Sequence, residues 1–277
     1  MSLRAFVSEN IISTNIALQA PLALRELTIY SPLQKFPQSS AAQLTHIEKI
    51  VVKQSNLKYL PEEFCLLRSL KYLDLSLSKL LQKLPYSFGD LTNLQHLDLS
   101  DTSSLQMLPN SFGCLTNLQH LDLSLSLSLQ MLPNSFGNLS CLKHLNLRNC
   151  SNLTMSNKTF AKISSLEYLN LSGCAGVDVI PPLVAHQPSL EELYLVNTRL
   201  QEFPGDIGNL SSLELFRVES PFLNPSYQKR DDVRRFWQKP SEKPNHTRNV
   251  VCNSCFRFYW QETVSRETKQ FLLAVSG

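Results

Sequence analysis

The sequence predicts an α/β solenoid, a horseshoe with a parallel concave β-sheet of about nine strands and an irregular or helical convex side. Two observations support this fold class. Three nearly identical stretches, LPYSFGDLTNLQHLDLS, LPNSFGCLTNLQHLDLS and LPNSFGNLSCLKHLNLR, begin 24 residues apart, at Leu84, Leu108 and Leu132. One leucine-type position also recurs at steps of 23 or 24 residues over most of the chain. A fixed period of roughly 20–50 residues is typical of stacked repeat architectures.

The recurring position serves as the marker of each repeat, and other positions are counted from it. The nine markers are Leu27, Ile50, Leu73, Leu97, Leu121, Leu145, Leu169, Leu193 and Phe216. Around the fifth marker, Leu121 and Leu123 alternate as on a strand and should point inward, while Phe136 and Leu142 follow at turn-like intervals. One unit cannot enclose such a core, so neighbouring units must stack.

This unit resembles the leucine-rich repeat, in which each repeat adds one short strand to a horseshoe. Members of that family usually carry asparagine or cysteine five residues after the marker, where a small polar group satisfies backbone groups at the turn. The column here reads Pro32, Ser55, Ser78, Thr102, Ser126, Cys150, Cys174, Thr198 and Pro221. We expect inward thiols at Cys150 and Cys174 in the same role as Ser126. A disulfide or metal pair between these two cysteines is the alternative.

A period-two stretch, HLDLSLSLSLQMLP from His120 to Pro133, would alone predict one long strand. Aligned with LDLSDTSSLQMLP and LDLSLSKLLQKLP in the preceding repeats, it keeps only four leucines of the repeat pattern. The strand is therefore expected to end near Ser124, and Leu125 and Leu127 are expected to be exposed.

The repeats divide the chain into three predicted parts. Residues 1–23 form an N-terminal cap or a decayed repeat, 24–221 form the repeat domain of about nine units, and 222–277 form a basic non-repeat tail. Residues 1–220 hold 16 basic and 18 acidic side chains, and residues 221–277 hold 10 and 5. This excess is too small to predict a nucleic-acid partner. No apolar run approaches the roughly 18 residues of a membrane helix, and the N-terminus lacks the basic and then apolar segments of a signal peptide. We therefore expect a cytosolic or nuclear protein without membrane contact.

Strand residues next to the inward leucines should face the concave side, at positions −1, +1 and +3 from each marker. Tyrosine, histidine, aspartate and asparagine dominate these columns in the central repeats. The candidate partner-binding residues are Tyr72, Asp74, His96, Asp98, His120, Asp122, His144, Asn146, Arg148, Tyr168, Asn170, Glu192 and Tyr194.

Three histidines beside aspartates could in principle bind a divalent metal or supply a general base. Their spacing, however, follows from duplication of LQHLDLS, and rings that stack in one direction do not converge on one ion. Phosphate-binding loops, nucleophile elbows and HExxH motifs are absent from the sequence. We therefore predict no catalytic residue, no metal and no cofactor. Two interpretations of the columns stay open: a solvated face inherited from duplication, or a face that binds a partner.

The repeat motif reads LPNSFGNL…LQHLDLS, with Ser, Thr or Cys at the turn and no Gly-x-Ile before Leu-Pro. It resembles the repeats of plant intracellular nucleotide-binding leucine-rich-repeat immune receptors. The resemblance covers residues 24–221. It implies a non-enzymatic, monomeric module that recognises another protein: a pathogen effector, a guarded host protein or a receptor domain. This sequence contains no nucleotide-binding domain, so nucleotide hydrolysis is not implied. The alternative is a substrate-recruiting or scaffolding subunit of an enzyme complex such as a ubiquitin ligase or a phosphatase.

Overall fold

A computed structural model describes residues 3–7, 24–29, 32–36, 44–155, 163–177, 184, 187–201, 210–222 and 249–251. These ranges contain eleven strands, which form one parallel sheet in chain order. The strands are β1 (Leu3–Val7), β2 (Leu24–Ile29), β3 (Lys49–Val52), β4 (Tyr72–Asp74), β5 (His96–Asp98), β6 (His120–Asp122), β7 (His144–Asn146), β8 (Tyr168–Asn170), β9 (Glu192–Val196), β10 (Leu215–Glu219) and β11 (Asn249–Val251). Four 3-10 helices follow strands: η1 (Glu62–Leu66), η2 (Phe88–Asp90), η3 (Asn110–Cys114) and η4 (Asn134–Asn138).

The predicted solenoid is confirmed, because β2 to β10 are the nine expected strands and all of them pair in parallel. Markers pair with markers in adjacent strands, as Leu97 does with Leu121, so every column of the repeat runs straight across the sheet. The sheet extends by one strand at each end, β1 in the predicted cap and β11 in the predicted tail. Whether residues 1–23 are a cap or a decayed repeat, and whether 222–277 is a separate tail, remain predictions. None of the helices in the described ranges is long and apolar enough to cross a bilayer.

The core lies between the sheet and the 3-10 helices, and phenylalanine rings form its outer layer. Phe88, Phe112 and Phe136 are fully buried and stack at centroid distances of 6.1 and 6.2 Å, nearly parallel. The proline before each helix explains why a tight turn forms there. Proline holds φ near −65°, and Pro109 at the start of η3 has φ −67°. Each repeat therefore presents its phenylalanine in the same place.

Glycine follows this phenylalanine because adjacent repeats come into backbone contact there. A Cβ added to Gly113 would lie 2.1 Å from the carbonyl oxygen of Ser135 in the next repeat. No side chain fits at that distance, so the Phe-Gly pair sets how closely the repeats stack.

The chain leaves each strand from β3 to β9 through a left-handed residue four positions after the marker, a feature that could not be anticipated from the sequence. Residues at this position have φ between 54° and 74°, where glycine, asparagine and aspartate are favoured. They are Gln54, Leu77, Asp101, Leu125, Asn149, Gly173 and Asn197.

The next position carries the small polar residues that the sequence predicts for the turn, and they are buried. The Thr102 hydroxyl donates to the Leu99 carbonyl at 2.7 Å. Cys150 and Cys174 donate to carbonyls of the preceding repeats at 3.1 and 3.0 Å, and both are free thiols. Burial raises the pKa of these thiols to about 12 and about 11. The expectation of inward thiols that bond the backbone is therefore confirmed.

The last repeat corrects one assignment. Pro221 was expected at the turn position, but the preceding residue fills that role. Ser220 is buried, and its hydroxyl lies 3.0 and 2.7 Å from the carbonyl oxygens of Thr198 and Leu200. Proline cannot offer such a side-chain donor.

The structure confirms that the period-two stretch is not one long strand. Strand β6 ends at Asp122, and Leu125 and Leu127 are 42% and 44% exposed. Replacing them together with aspartate and serine should change the free energy of unfolding by no more than about 0.5 kcal/mol. Aspartate also tolerates the positive φ of 61° at position 125 better than leucine does.

Chemical denaturation of this double variant tests the register. The control is Leu123→Ala, which empties a fully buried site and should cost about 2–5 kcal/mol. A cost in that range for the double variant as well would show that the assigned register is wrong.

Candidate partner-binding surface

Six aromatic rings form a continuous row across the concave face, with one ring on each strand from β4 to β9. Adjacent centroids are separated by 4.3, 5.5, 4.6, 5.5 and 5.4 Å, and the interplanar angles lie between 6° and 45°. The straight register produces this row, because neighbouring strands lie about 4.8 Å apart, close to the stacking distance of rings. The ring stack consists of Tyr72, His96, His120, His144, Tyr168 and Tyr194.

A cation lies at each end of the ring stack. The Lys49 ammonium is 4.5 Å from the centroid of Tyr72, and the Arg217 guanidinium carbon is 5.9 Å from that of Tyr194. Both distances are within the range of cation–π contacts. These two residues were not among the candidates predicted from the sequence. They could have been found from the sequence, because Lys49 continues the −1 column and Arg217 the +1 column beyond the rings.

The stack changes column at its last ring. Tyr168 lies at −1 from its marker, whereas Tyr194 lies at +1. Glu192 occupies −1 on β9, and its carboxylate accepts a hydrogen bond of 2.7 Å from the Tyr194 hydroxyl. Burial and this carboxylate raise the pKa of Tyr194 to about 12. Since neighbouring rings cover both faces of each inner ring, a ligand on the concave side meets ring edges.

Burial lowers the pKa of both His96 and His120 below the ordinary value of 6.5. After burial, the groups that act on the pKa of His120 are His144, His96 and Lys143, which lower it, and Glu167, which raises it. Those that act on the pKa of His96 are Asp98, Asp74 and Asp122, which raise it, and Lys49, which lowers it. Both imidazoles are therefore uncharged at neutral pH.

Acidification should destabilise the fold because these two histidines bind protons less readily when folded than when unfolded. Stability from this source is fully present above pH 6.5 and declines as the pH falls towards the lowered folded pKa. The lowered pKa values of Glu48, Glu62 and Glu167 act at more acidic pH, since glutamate ordinarily titrates at 4.5. We expect a lower midpoint of thermal unfolding at pH 5.5 than at pH 7.5.

The double variant His96→Gln/His120→Gln provides the control for this pH dependence. It should lose part of the difference between pH 5.5 and pH 7.5. An unchanged difference would assign the effect to other groups.

The aspartates and asparagines at +1 have a structural role that the sequence analysis missed. The Oδ1 of each accepts the backbone N–H two residues later, which closes a local turn at the strand end. These bonds measure 3.1 Å at Asp74, 2.9 Å at Asp98, 2.8 Å at Asp122, 3.1 Å at Asn146 and 3.0 Å at Asn170. The sequence does contain a pattern from which this turn could have been predicted, because Asp or Asn recurs two residues before Ser or Arg.

Two predicted contact residues are wrong because they are buried. Asp74 is 2% exposed, and its carboxylate pairs with the Lys53 ammonium at 3.0 Å and accepts the Ser76 hydroxyl at 2.7 Å. Asn170 is 8% exposed and donates to the Tyr168 hydroxyl at 3.1 Å. Neither side chain is free to meet a partner.

The other eleven candidates are partly or fully exposed in the concave columns. Arg148 is the most open of them, whereas the rings and carboxylates are half-buried. They are Tyr72, His96, Asp98, His120, Asp122, His144, Asn146, Arg148, Tyr168, Glu192 and Tyr194.

A shallow cavity of about 270 Å³ lies within this surface. It is lined by His96, His120, Leu121, Asp122, His144, Asn146 and Tyr168. Pockets for drug-sized ligands and cofactors occupy about 300–1,000 Å³, so this one is better matched to a single side chain. In the part of the chain that the structure describes, no three His, Cys, Asp or Glu side chains are grouped so as to hold a metal ion.

Comparisons with known proteins agree with this architecture. Residues 23–161, about half of the chain, match the model of the family described as leucine-rich repeat region. The leucine-rich repeat domain of the type III effector XopL is similar at 28% identity and a TM-score of 0.62, covering 71% of this chain and 68% of that one. No curated protein sequence matches the chain.

Two further solved structures share the fold at lower identity. A chain of the Drosophila Toll–Spatzle complex is 22% identical with a TM-score of 0.54, covering 72% of this chain and 33% of that one. A chain of the complex between the plant peptide hormone receptor RGFR1 and RGF2 is 19% identical with a TM-score of 0.53, covering 79% and 38%. This chain therefore spans 33% and 38% of those two.

Proposed function

This chain belongs to the leucine-rich repeat family, and we propose that it is a non-enzymatic module that binds another protein on its concave face. The ring stack is the observation that carries the proposal. It places six aromatic side chains in one row on a sheet, with a cation at each end. Tyrosine and arginine are enriched in protein interfaces and contribute strongly to binding energy.

Preorganisation supports binding by these rings. Each ring contacts its neighbours in the stack, so its rotamer is restricted before a partner arrives. Ordering an unrestricted side chain at an interface costs about 0.5–1.5 kcal/mol, and the stack avoids much of that cost. A solvated face inherited from duplication would need neither the cations at both ends nor the hydroxyl of Tyr194 held by Glu192.

The partner belongs, in this proposal, to plant immunity: a pathogen effector, a guarded host protein or a receptor domain. This choice is supported by the repeat motif LPNSFGNL…LQHLDLS, which resembles the repeats of plant intracellular immune receptors. Two of the structures that share this fold are also complexes with another protein or peptide, Toll with Spatzle and RGFR1 with RGF2. The proposal also places the protein, as a monomer, in the cytosol or nucleus. The compartment is chosen because Cys150 and Cys174 must be reduced thiols to donate hydrogen bonds to backbone carbonyls.

Affinity capture from the native tissue with the full chain identifies the partner. A microbial effector, a guarded host protein or a nucleotide-binding receptor supports the proposed class. A ubiquitin ligase or phosphatase core would instead support a role as a substrate-recruiting or scaffolding subunit.

Histidine modification then tests which surface binds. Diethylpyrocarbonate labelling of the free chain and of the captured complex should show protection of His96, His120 and His144 in the complex. His46 is exposed outside the ring stack and serves as the internal control, with unchanged labelling. Protection of His46 without protection of the three stacked histidines would contradict binding by the concave face.

A further inference from the structure

We propose that the cavity between β5 and β8 binds one arginine side chain of the partner, with Asp122 as the anion that pairs with the guanidinium. The inference rests on the proposed function, because it names the chemistry that the partner brings to the same surface. It assigns a distinct role to one of three aspartates that are identical in their local sequence, LDLS.

Asp122 is held in place and still has acceptor capacity. Its Oδ1 accepts the Ser124 backbone N–H at 2.8 Å, and its Oδ2 accepts the Asn146 amide at 2.9 Å. A carboxylate offers about four acceptor sites, so each oxygen can take one more hydrogen bond. Among the described residues, no lysine or arginine lies within ion-pair distance of Asp122. Asp122 therefore places in the cavity wall a negative charge that no cation among the described residues neutralises.

The equivalent aspartates on the neighbouring strands are used differently. Asp98 accepts both the backbone N–H and the hydroxyl of Ser100 on one oxygen, at 2.9 and 2.6 Å, and does not line the cavity. Asp74 is buried and already paired with Lys53. Only Asp122, of these three, combines a place in the cavity wall with the absence of such a hydroxyl or cation among the described contacts.

The rest of the cavity suits a long side chain with a cationic head. The partly exposed rings of His120, His144 and Tyr168 belong to the lining and can cover a methylene stem. His120 is uncharged at neutral pH because burial lowers its pKa, so it does not repel a cation. The neutral imidazoles of His96 and His120 each also retain one unprotonated nitrogen, which can accept a hydrogen bond.

Arginine matches this wall better than lysine. The acceptors are spread along the cavity rather than gathered at one point, since they come from β5 to β8. A guanidinium carries five donors in one plane and pairs with carboxylates through two of them, whereas an ammonium is a compact point charge. A glutamate or aspartate side chain would be repelled by Asp122.

Nuclear magnetic resonance titration of the full chain with N-acetyl-arginine-N-methylamide tests the proposal. The ring resonances of His120 and His144 should shift and saturate at pH 7.5, while those of His46 stay constant. The citrulline analogue, which has the same length and shape without the charge, should produce no saturable shift. Asp122→Asn should weaken arginine binding by at least about tenfold because it removes the charged partner. The matched control Asp90→Asn makes the same change of charge at an exposed side chain on η2, outside the concave columns, and should change arginine binding less than about twofold.

Equal binding of the citrulline analogue, or of N-acetyl-lysine-N-methylamide titrated in the same way, would overturn the arginine assignment, as would equal losses in Asp90→Asn and Asp122→Asn. The comparison of analogues uses the unaltered chain, so it stays decisive even where a variant folds poorly. Failure of this proposal is distinguishable from failure of the proposed function. If arginine does not bind but the complex still protects His96, His120 and His144, protein binding on the concave face stands and the ligand class is wrong. If those histidines are unprotected in the complex, the proposed function itself fails.

Discussion

Replacing Phe112 with alanine is expected to lower the free energy of unfolding by about 3–5 kcal/mol. The ring is fully buried and stacks between Phe88 and Phe136 of the two adjacent repeats. Its removal opens a cavity at two interfaces between repeats at once. In a solenoid, stability is approximately the sum of the repeats and their nearest-neighbour interfaces, so both losses count.

Urea denaturation followed by circular dichroism measures this effect. Met107→Ala in the same repeat is the matched control, because Met107 is 58% exposed and its removal should change stability by no more than about 0.5 kcal/mol. A loss below about 1 kcal/mol for Phe112→Ala would show that the phenylalanine layer does not hold the repeats together.

Much of the fold could be predicted because the period itself sets the register. Once the markers were placed, the pairing of Leu97 with Leu121 and the exposure of Leu125 followed from comparison between repeats. The buried polar turn position was predictable for the same reason. Its shift from Pro221 to Ser220 was not, because the period stops there and no later repeat confirms the register.

The candidate site was less predictable because identical local sequences have different neighbours. Asp74, Asp98 and Asp122 all occur in LDLS, yet one is buried against Lys53 and another is held by Asn146. These partners belong to adjacent repeats, at positions where the repeats differ from one another. Aligning the repeats therefore predicts which residues lie on the concave face, but it does not predict how deeply each of them is buried.

Backbone conformation was also hidden from the sequence. The left-handed position holds Asn149 and Gly173, which favour positive φ, but also Leu77 and Leu125, which do not. Stacking between repeats imposes the conformation there regardless of the residue. The sequence places Tyr194 at +1 and Glu192 at −1, but it does not show the hydrogen bond between their side chains.

The largest functional effect is expected from removing the centre of the ring stack. Substituting His96, His120 and Tyr168 together with alanine should lower the affinity for the captured partner by at least about 100-fold, since truncating central interface residues commonly costs 2 kcal/mol or more each. The loss is expected in binding and not in folding. These side chains are partly exposed and lie outside the buried core, so the variant should still fold, with a midpoint of thermal unfolding lowered only by the lost ring contacts.

The matched control for this triple variant is Met107→Ala/Met131→Ala. Both methionines are 58% exposed and lie ten residues after their markers, outside the concave columns. Their removal changes exposed apolar surface without touching the ring stack. The control therefore separates loss of a specific face from a general loss of exposed hydrophobic contacts.

Isothermal titration calorimetry of the captured partner against the unaltered chain, the triple variant and the methionine control tests the central claim most directly. Binding on the concave face predicts that the dissociation constant rises at least about 100-fold for the triple variant and less than about twofold for the control. An unchanged dissociation constant for a folded triple variant would contradict it, and weakened binding by the methionine control would instead indicate general apolar contacts.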